Sequence, residues 1–246
     1  MAVEELAHRV ALVTGASGGI GSHLSLRLAG AGAGVAVHYG ANREAAGRVV
    51  ETIRAGGGQA VALAADLRDA GATAALIDAV EERLGPVDVL VANAGLSRPG
   101  SYEEVDAAAF DETLAVNLRA PYLLARGVLS GMRARQFGRI LFTSSVAALT
   151  GGIVGPHYAA SKAGLHGLTH FLAARAARDG VTVNAIAPAL IEDTAMLPGD
   201  PGDLKQRVPV GRLGKPDEVA DFALAVLRNG YITNQVMSVD GGIHPG

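Results

Sequence analysis

The sequence predicts an α/β fold in which one doubly wound parallel sheet of about seven strands carries helices on both faces. Three observations lead to this prediction. Short β-branched apolar runs alternate with longer stretches whose apolar residues recur near every 3.6 positions. The short runs lack a polar–apolar alternation, which is expected of strands buried on both faces. Glycines follow the helical stretches and precede the strands, as they do at helix C-termini.

Each element can be assigned in chain order. The predicted strands are Val10–Thr14, Val35–Tyr39, Ala60–Ala64, Val87–Ala92, Ile140–Thr143, Val181–Ala187 and Gln235–Val239. The predicted helices are Ile20–Ala31, Glu44–Gly56, Ala70–Leu84, Phe110–Gln136, Tyr158–Asp179 and Asp217–Asn229. Strand–helix alternation at this spacing predicts a single domain over residues 1–246. The irregular segment 191–214, rich in Pro, Gly and charge, follows a strand end and is a candidate substrate lid.

Composition and charge exclude several classes of function. A chain of 246 residues that is 49% hydrophobic can bury a substantial core. With 18% charged residues and a net charge of −3, nothing draws the chain to nucleic acid or an anionic membrane. It has no cysteine, which excludes disulfides, thiolate zinc sites and a cysteine nucleophile. Met1–Arg9 does not resemble a signal peptide and no apolar run reaches about 20 residues, so we expect a soluble cytoplasmic protein.

A glycine-rich segment follows the first predicted strand and opens the first predicted helix. Glycines there let the backbone turn tightly and approach a pyrophosphate, whose charge is stabilised by the helix N-terminus. The segment lacks the Lys-Ser/Thr of a P-loop, which argues against ATP hydrolysis. An ordinary tight turn between strand and helix is the alternative interpretation. The candidate cofactor-binding residues are Gly15, Ser17, Gly18, Gly19, Ile20 and Gly21.

The end of the second strand bears on the choice between NAD(H) and NADP(H). NAD-specific sites usually place Asp or Glu there, hydrogen-bonded to the ribose 2′-hydroxyl. This chain has Tyr39, Asn42 and Arg43 in that region and no acid before Glu44, and Arg43 can pair with a 2′-phosphate. NADP(H) is therefore favoured and NAD(H) stays open, because Arg43 can equally be a solvated residue at a helix start.

Two more strand ends carry candidate cofactor contacts. Asp66 and Leu67 follow the third strand, where the Asp66 carboxylate can accept from the adenine amino group or act as a helix N-cap. The segment Asn93-Ala94-Gly95 ends the fourth strand. Its glycine lets the backbone lie close to a cofactor, although an ordinary turn has the same composition.

The candidate catalytic residues are a tyrosine and a lysine on one helix face. Tyr158 and Lys162 are four residues apart. A nearby ammonium favours the phenolate and lowers the tyrosine pKa, so the pair can act as acid in ketone reduction and as base in alcohol oxidation. The same spacing occurs by chance on many helices. His166 and His170 are also four apart, but no third ligand accompanies them and we expect no metal site.

Two polar residues strengthen the catalytic interpretation. Ser145 follows a hydrophobic strand, so its hydroxyl can hold a substrate carbonyl against Tyr158, although serine also favours caps and turns. Asn117 lies within a long helix rich in Ala and Leu, where an amide is a poor helix former and needs partners. It is either a structural clamp or part of a proton relay.

In order and spacing, these motifs resemble the short-chain dehydrogenase/reductase family over the whole chain. The resemblance rests on Thr14–Gly21, Asp66, Asn93–Gly95, Asn117, Ser145, Tyr158, Lys162 and Val239–Gly242. It implies a Rossmann-type fold and an Asn-Ser-Tyr-Lys tetrad. Ser145 would polarise the carbonyl and Tyr158 would donate the proton. Lys162 would bind the nicotinamide ribose and lower the tyrosine pKa, and Asn117 would support a water relay.

The resemblance also implies contacts beyond the tetrad. Pro188, Ile191 and Thr194 would lie against the nicotinamide end of the cofactor. Two departures from the family pattern are Ala189, where a glycine usually follows the proline, and Gly18, where NADP(H)-preferring members often carry Arg or Lys. The resemblance further implies a homotetramer, built through the long helices and the C-terminal strand.

Within the family the chain is most similar to 3-oxoacyl-[acyl-carrier-protein] reductases, through Tyr158–Gly164 and Gly211–Ala220. This likeness implies a 3-oxoacyl thioester as substrate and an acyl carrier protein as a possible partner. A carrier protein is acidic and needs basic residues near the site entrance; the candidates are Arg133, Arg135, Arg139, Arg175 and Arg178. The alternatives are the same chemistry on a sugar, steroid or small ketone, or an inactive NADP(H)-sensing regulator.

Overall fold

The computed structural model describes residues 6–194, 197 and 201–245. These residues form one parallel sheet of seven strands in the order β3-β2-β1-β4-β5-β6-β7. The strands are β1 Val10–Val13, β2 Gly34–Tyr39, β3 Ala60–Ala64, β4 Val87–Ala92, β5 Gly138–Thr143, β6 Val181–Pro188 and β7 Val236–Val239. The predicted α/β fold and the identity of all seven strands are therefore confirmed. Strand order reverses between β1 and β4, which puts a crevice at their carboxyl ends.

Helices cover both faces of the sheet. They are α1 Gly19–Gly30, α2 Arg43–Ala55, α3 Ala70–Leu84, α4 Ala107–Leu114, α5 Ala120–Ala134, α6 Ala147–Thr150, α7 Pro156–Ala176, α8 Pro201–Lys205 and α9 Pro216–Arg228. Strand β1 illustrates why both faces need cover: Leu12 packs into the core cluster under α3, α5 and α7. Its neighbours Ala11 and Val13 pack into the cluster under α1, α2 and α9. Each apolar run thus supplies two cores.

The strands at the two edges of the sheet are less buried than predicted. In β3 only Ala60 is buried, and the following residues alternate between half-buried and exposed positions. In β7 the residues are half-buried or exposed. The prediction of burial on both faces is wrong for these two strands, because an edge strand has a neighbour on one side only.

The long helix predicted over Phe110–Gln136 is interrupted. Helix α4 begins earlier, where Asp106 Oδ1 accepts from Ala109 N at 2.8 Å, and ends at Leu114. One turn of π-helix, Ala115–Arg119, separates it from α5. Such a turn accommodates one extra residue in the helical path and is common at functional sites. The short helices α6 and α8 were not predicted, and α8 lies within the candidate lid.

Candidate active site

The carboxyl ends of the central strands enclose a crevice of about 510 Å³. It brings together residues that lie far apart in the sequence, as expected at a switch point of strand order. The predicted site residues that line it are Gly15, Ser17, Gly18, Gly19, Ile20, Asn93, Ala94, Gly95, Ser145, Tyr158, Lys162, Pro188, Ile191 and Thr194. The predicted residues outside its lining are Gly21, Tyr39, Asn42, Arg43, Asp66, Leu67 and Asn117.

The glycine-rich segment is shaped by close backbone contacts. Gly15 has φ +63°, and a Cβ there would lie 2.8 Å from Ala94 Cα. A Cβ on Gly21 would lie 2.4 Å from Gly15 O and 2.6 Å from Asn93 Nδ2. Gly18 differs, because its backbone is extended and a Cβ would meet no atom within 4 Å. Steric space therefore requires glycine at positions 15 and 21 but leaves position 18 free.

Side chains at the carboxyl ends of three strands hold this segment: Thr14 after β1, Asn93 after β4 and His38 in β2. Asn93 Nδ2 donates to Thr14 O at 3.1 Å, and Thr14 Oγ1 accepts from Asn93 N and Ala94 N at 3.0 Å each. His38 of β2 contributes a second clamp: its Nδ1 accepts from Gly15 N at 3.1 Å and its Nε2 lies 3.1 Å from Ala65 O. His38 was not among the residues predicted from the sequence. A histidine within an otherwise apolar buried strand was the available signal.

At the expected adenosine end, several polar side chains have partners within the chain. Asn42 caps α2, because its Oδ1 accepts from Ala45 N at 3.0 Å. Asp66 is not the N-cap of α3; Asp69 fills that place. The Asp66 carboxylate instead pairs with Arg68, whose hydrogen bonds lower the pKa of Asp66 to about 2.

Three other residues at that end differ in exposure. Leu67 is buried in the core, so its side chain points away from solvent. Tyr39 is half-buried at the end of β2, and Arg43 is exposed at the start of α2. All of them lie at the same sheet edge as the crevice. Their proposed contacts with a cofactor stay predictions.

Tyr158 lies near the N-terminus of α7 and is 7% exposed. Burial raises the pKa of its phenol, while a hydrogen bond from Ser145 acts in the opposite direction. The expectation that the tyrosine pKa is lowered is therefore wrong for this site, because desolvation of the phenolate outweighs the stabilising contacts. Ser145 Oγ also accepts from Ala147 N at 3.2 Å, which fixes the hydroxyl beside Tyr158.

Lys162 is buried beneath Tyr158. Its Nζ donates to Thr143 O at 2.6 Å and lies 5.7 Å from the centroid of the Tyr158 ring. Burial lowers the pKa of Lys162 to about 8, so the ammonium is still the main form at neutral pH. Thr143 lines the crevice beside it, and its buried hydroxyl has no hydrogen-bond partner among the described residues.

Asn117 is fully buried in the π-helical turn and connects three segments. Its Oδ1 accepts from Leu96 N at 2.7 Å, and its Nδ2 donates to Leu96 O at 3.0 Å and to Ser161 Oγ at 3.1 Å. Of the two interpretations left open by the sequence, these bonds describe a clamp that ties the loop after β4 to the catalytic helix. A role in a water relay stays a prediction.

The two histidines of α7 have separate partners. His166 Nε2 lies 2.8 Å from Ser144 Oγ, and His170 Nδ1 lies 2.7 Å from Asn234 Oδ1. Within the described part of the chain, no group of three or more His, Asp or Glu side chains is arranged to hold a metal ion.

The candidate lid is tied down at its base. Glu192 N donates to Gly214 O at 2.9 Å, and Gly214 N donates to Leu190 O at 3.1 Å. Thr194 reaches the glycine-rich segment, since its Cγ2 lies 3.0 Å from the position of a Cβ on Gly19. Arg207 also lines the crevice. Residues 195, 196 and 198–200 lie outside the described part of the lid.

The five arginines considered for carrier-protein binding lie far from the crevice within this chain. They occupy the C-terminal ends of α5 and α7 and the start of β5, which is the amino edge of the sheet. Among the ion pairs at this edge, Arg133 pairs with Asp179 and Arg135 with Asp88. The expectation that they flank the entrance is wrong for the single chain, because these helices run antiparallel to the strands.

Comparison with known proteins places this geometry in a family. A family model described as short chain dehydrogenase matches residues 9–202. Acetoacetyl-CoA reductase of Shinella zoogloeoides is 40% identical over 241 residues, covering 95% of this chain and 98% of that protein. The 3-oxoacyl-[acyl-carrier-protein] reductase of Synechocystis sp. is 37% identical over 243 residues, covering 97% and 98%. A short chain dehydrogenase from Burkholderia cenocepacia in complex with NADP superimposes with a TM-score of 0.90 at 38% identity, covering 97% and 99%.

Proposed function

The chain belongs to the short-chain dehydrogenase family and is an oxidoreductase, and from that premise we propose that it reduces a 3-oxoacyl thioester with NADPH. The observation that carries the proposal is the position of Ser145, Tyr158 and Lys162 beside the glycine-rich segment in one crevice. A hydride donor and a ketone held in that crevice would meet the predicted acid that lines it, the phenol of Tyr158.

The residues present fit a nicotinamide dinucleotide. Gly15 and Gly21 have no room for a Cβ, so the segment packs tightly on the strand ends, and the backbone of Gly18 and Gly19 lines the crevice, which suits the close approach of a pyrophosphate. The Thr143 hydroxyl next to Lys162 is buried without a hydrogen-bond partner among the described residues, and a polar group bound beside it would supply one. Gly15–Ile20 would hold the phosphates, and Asn93–Gly95, Lys162 and Ile191 would hold the ribose and nicotinamide. When bound, the reduced nicotinamide supplies the hydride.

Tyr158 acts as the acid of the reduction. Because burial raises the pKa of the phenol, the group stays protonated at neutral pH, and the protonated form is the one that reduction consumes. The Ser145 hydroxyl, fixed next to Tyr158, orients the substrate carbonyl oxygen toward the phenolic proton. Lys162, cationic below pH about 8, stabilises the phenolate left after the proton has moved.

Arg43 supports the preference for NADP(H) over NAD(H). It is exposed at the start of α2, and the preceding carboxyl end of β2 carries no acidic residue that would repel a 2′-phosphate. Two structural relatives support this choice by their own ligands, NADP in one and NADPH in the other.

We expect Arg43→Ala to raise KM for NADPH about tenfold and to leave KM for NADH nearly unchanged, because one charge-assisted phosphate contact is lost. Steady-state kinetics with both cofactors checks this. Arg48→Ala is the matched control, since Arg48 is on the same helix and pairs with Glu44. Equal changes in both KM values would remove Arg43 from the phosphate site.

The thioester substrate is supported by the relatives named acetoacetyl-CoA reductase and 3-oxoacyl-[acyl-carrier-protein] reductase. On this proposal the chain serves fatty acid biosynthesis or a similar acyl pathway in the cytoplasm, with an acyl carrier protein as a possible partner. No helix of the described residues combines the length and apolarity needed to cross a membrane.

The test is NADPH oxidation, with NADH in parallel, against acetoacetyl-CoA and a panel of simple ketones, sugars and steroids. Turnover of the thioester with NADPH is the expected result. Strong turnover of a ketone, sugar or steroid without thioester turnover would overturn the substrate. Cofactor binding with no turnover of any substrate would favour an NADP(H)-sensing regulator.

A homotetramer is part of the proposal. Tyr122 on α5 and Phe171 on α7 are 41% and 55% exposed, and strand β7 leaves a sheet edge partly open. Large apolar side chains on neighbouring long helices are typical of surfaces that associate. Light scattering coupled to size-exclusion chromatography should give four times the chain mass of 24.9 kDa; a monomer would overturn this part.

A further inference from the structure

We propose that His38 is a positioning residue for the cofactor: its neutral imidazole sets the glycine-rich segment in its phosphate-binding shape, and its protonation releases that segment. This inference rests on the proposed nicotinamide cofactor but not on the identity of the substrate. His38 lies in β2, is 2% exposed and does not line the crevice. It therefore acts through the backbone that it holds.

Both ring nitrogens of His38 have backbone partners with opposite requirements. Gly15 N–H is a donor, so Nδ1 at 3.1 Å must be unprotonated to accept it. Ala65 O is an acceptor, so Nε2 at 3.1 Å must carry the proton. These two partners select one neutral tautomer, and the ring bridges the glycine-rich segment and the end of β3.

Residue 38 holds two consecutive amides of the segment. Its side chain accepts from Gly15 N, and its backbone carbonyl accepts from Ala16 N at 2.9 Å. Both amides are thereby directed toward β2, while the next residues, from Ser17 to Ile20, line the crevice. Gly15 is at φ +63°. Because glycine adopts positive and negative φ about equally readily, a bond to its amide is needed to select this conformation. The His38 bond is the side-chain contact that fixes the Gly15 amide.

Protonation of His38 breaks one of these bonds. An Nδ1–H would face Gly15 N–H across 3.1 Å, and two donors cannot bond each other. The repulsion would push Gly15 away and shift the amides and glycines that follow. Burial lowers the pKa of His38 below its usual value of 6.5, partly offset by the bond to Ala65 O, so the neutral form holds at pH 7.

The surroundings of His38 leave burial as the dominant influence. Strand β1 and the segment Thr14–Gly18 contribute no titratable side chain to its neighbourhood. At the end of β3 stands Asp66, paired with Arg68. Helix α3 packs on the face of β2 that Ala36 and His38 share; Asp69 is its N-cap, and its other titratable side chains, Asp78, Glu81, Glu82 and Arg83, are exposed. On the opposite face, Arg27 of α1 pairs with Asp217 and Asp221, His23 pairs with Asp217, and Arg48 of α2 pairs with Glu44.

The sign of the pH effect follows from the lowered pKa. Above pH 6.5, His38 is neutral whether or not cofactor is bound, and affinity is unaffected by its titration. As pH falls through the lowered pKa, the free protein takes up a proton that must leave before the cofactor binds. Affinity should then fall by up to tenfold for each pH unit.

The experiment measures the dissociation constant for NADP⁺ by calorimetry from pH 5 to pH 8, in the unchanged chain and in His38→Asn. In Asn, Oδ1 occupies the place of Nδ1 and accepts from Gly15 N without titrating. The 2′-phosphate titrates near pH 6 and affects both proteins alike. We expect the unchanged chain to lose affinity more steeply than His38→Asn as the pH falls below 6.5.

Two further variants separate positioning from simple support of the fold. His38→Leu should weaken NADP⁺ binding about tenfold above pH 6.5, where the unchanged chain keeps the bond to Gly15, and raise KM for NADPH with kcat unchanged; the gap should narrow as the pH falls. His38→Gln keeps the reach to Ala65 O but loses the bond to Gly15, and should behave like His38→Leu. A thermal scan checks that each variant is folded.

Three results would overturn the proposed role of His38. Parallel pH profiles for the unchanged chain and His38→Asn would overturn the proposal, even if His38→Leu does not fold. Full affinity in folded His38→Leu would also overturn it. If the unchanged chain binds neither NADP⁺ nor NAD⁺, the proposed cofactor fails and this inference with it.

Discussion

At the cofactor end of the crevice, side chains of the sheet and its strand ends hold the glycine-rich segment, whereas at the substrate end backbone bonds and a small apolar cluster hold the described part of the segment 191–214. His38, Thr14 and Asn93 fix the first end through side-chain bonds to backbone. At the other end, backbone bonds join Leu190 and Glu192 to Gly214, and a small cluster of Leu204, Val208 and Leu213 packs beneath.

The difference reflects what each end has to recognise. The pyrophosphate of a dinucleotide is the same whichever substrate is bound. A segment that the sheet holds in one shape can match it without adjustment. The segment 191–214 lies outside the strands, so its sequence can vary without disturbing the sheet. This suits a segment that determines substrate choice. Tyr158 lies between the two ends, so variants there and at each end should have separable effects.

The largest effect is expected at the junction of the two ends. Tyr158→Phe removes the proton donor but keeps the ring, and we expect kcat to fall by roughly 10²- to 10⁴-fold, the usual contribution of general acid catalysis. The dissociation constant for NADP⁺ should stay within about twofold, since the phenol is placed with the substrate. Stopped-flow reduction and calorimetry measure the two quantities. Unchanged turnover on every substrate tried would refute the tetrad.

A second, smaller effect should appear at the cofactor end. In Gly21→Ala the new Cβ would lie 2.4 Å from Gly15 O, and backbone cannot give way cheaply. We expect destabilisation of about 2 kcal/mol, within the range for overpacking, and a fall in Tm of roughly 4–8 °C. Gly18→Ala is the matched control, because its Cβ meets nothing within 4 Å. Similar thermal scans for the two variants would contradict the account of a tightly held segment.

The smallest effect is expected at the substrate end. Among the described residues that line the crevice, Lys162 and Arg207 are the charged ones, and both are cations. We expect Arg207→Gln to raise KM for acetoacetyl-CoA by up to about tenfold, the size of one hydrogen bond from a charged donor, with unchanged affinity for NADP⁺. Arg212→Gln is the control, since Arg212 lies in the same segment and pairs with Glu218. Loss of NADP⁺ affinity in Arg207→Gln would reassign Arg207 to the cofactor end.

Sequence was sufficient for features that depend on local pattern. Apolar runs identified all seven strands, and the four-residue spacing of Tyr158 and Lys162 put both at one helix face of the crevice. It was insufficient where the outcome depends on neighbours that are distant in the chain. The partial exposure of β3 depends on its edge position, and the raised pKa of Tyr158 depends on how much of the protein covers it.

The same limit explains the residues that were missed or misjudged. His38 carries no motif, and its role appears only when Gly15 and Ala65 are seen on either side of the ring. Asp66 was predicted either to cap α3 or to accept from the adenine amino group. In the folded chain Asp69 caps α3, and the Asp66 carboxylate pairs with Arg68. The arginines of α5 and α7 were judged by charge alone, without the sheet edge to which they belong.

The π-helical turn at Ala115–Arg119 makes the position of the Asn117 side chain depend on the number of residues in this stretch. One residue of α-helix corresponds to a rotation of about 100°. Deleting a residue within the turn would convert it to ordinary α-helix, and α4 and α5 could still be joined without a break. The side chain of Asn117, however, would be carried around the axis and out of reach of both Leu96 and Ser161. The number of residues here, and not only their identity, is thus part of what aligns the loop after β4 with the helix that bears Tyr158.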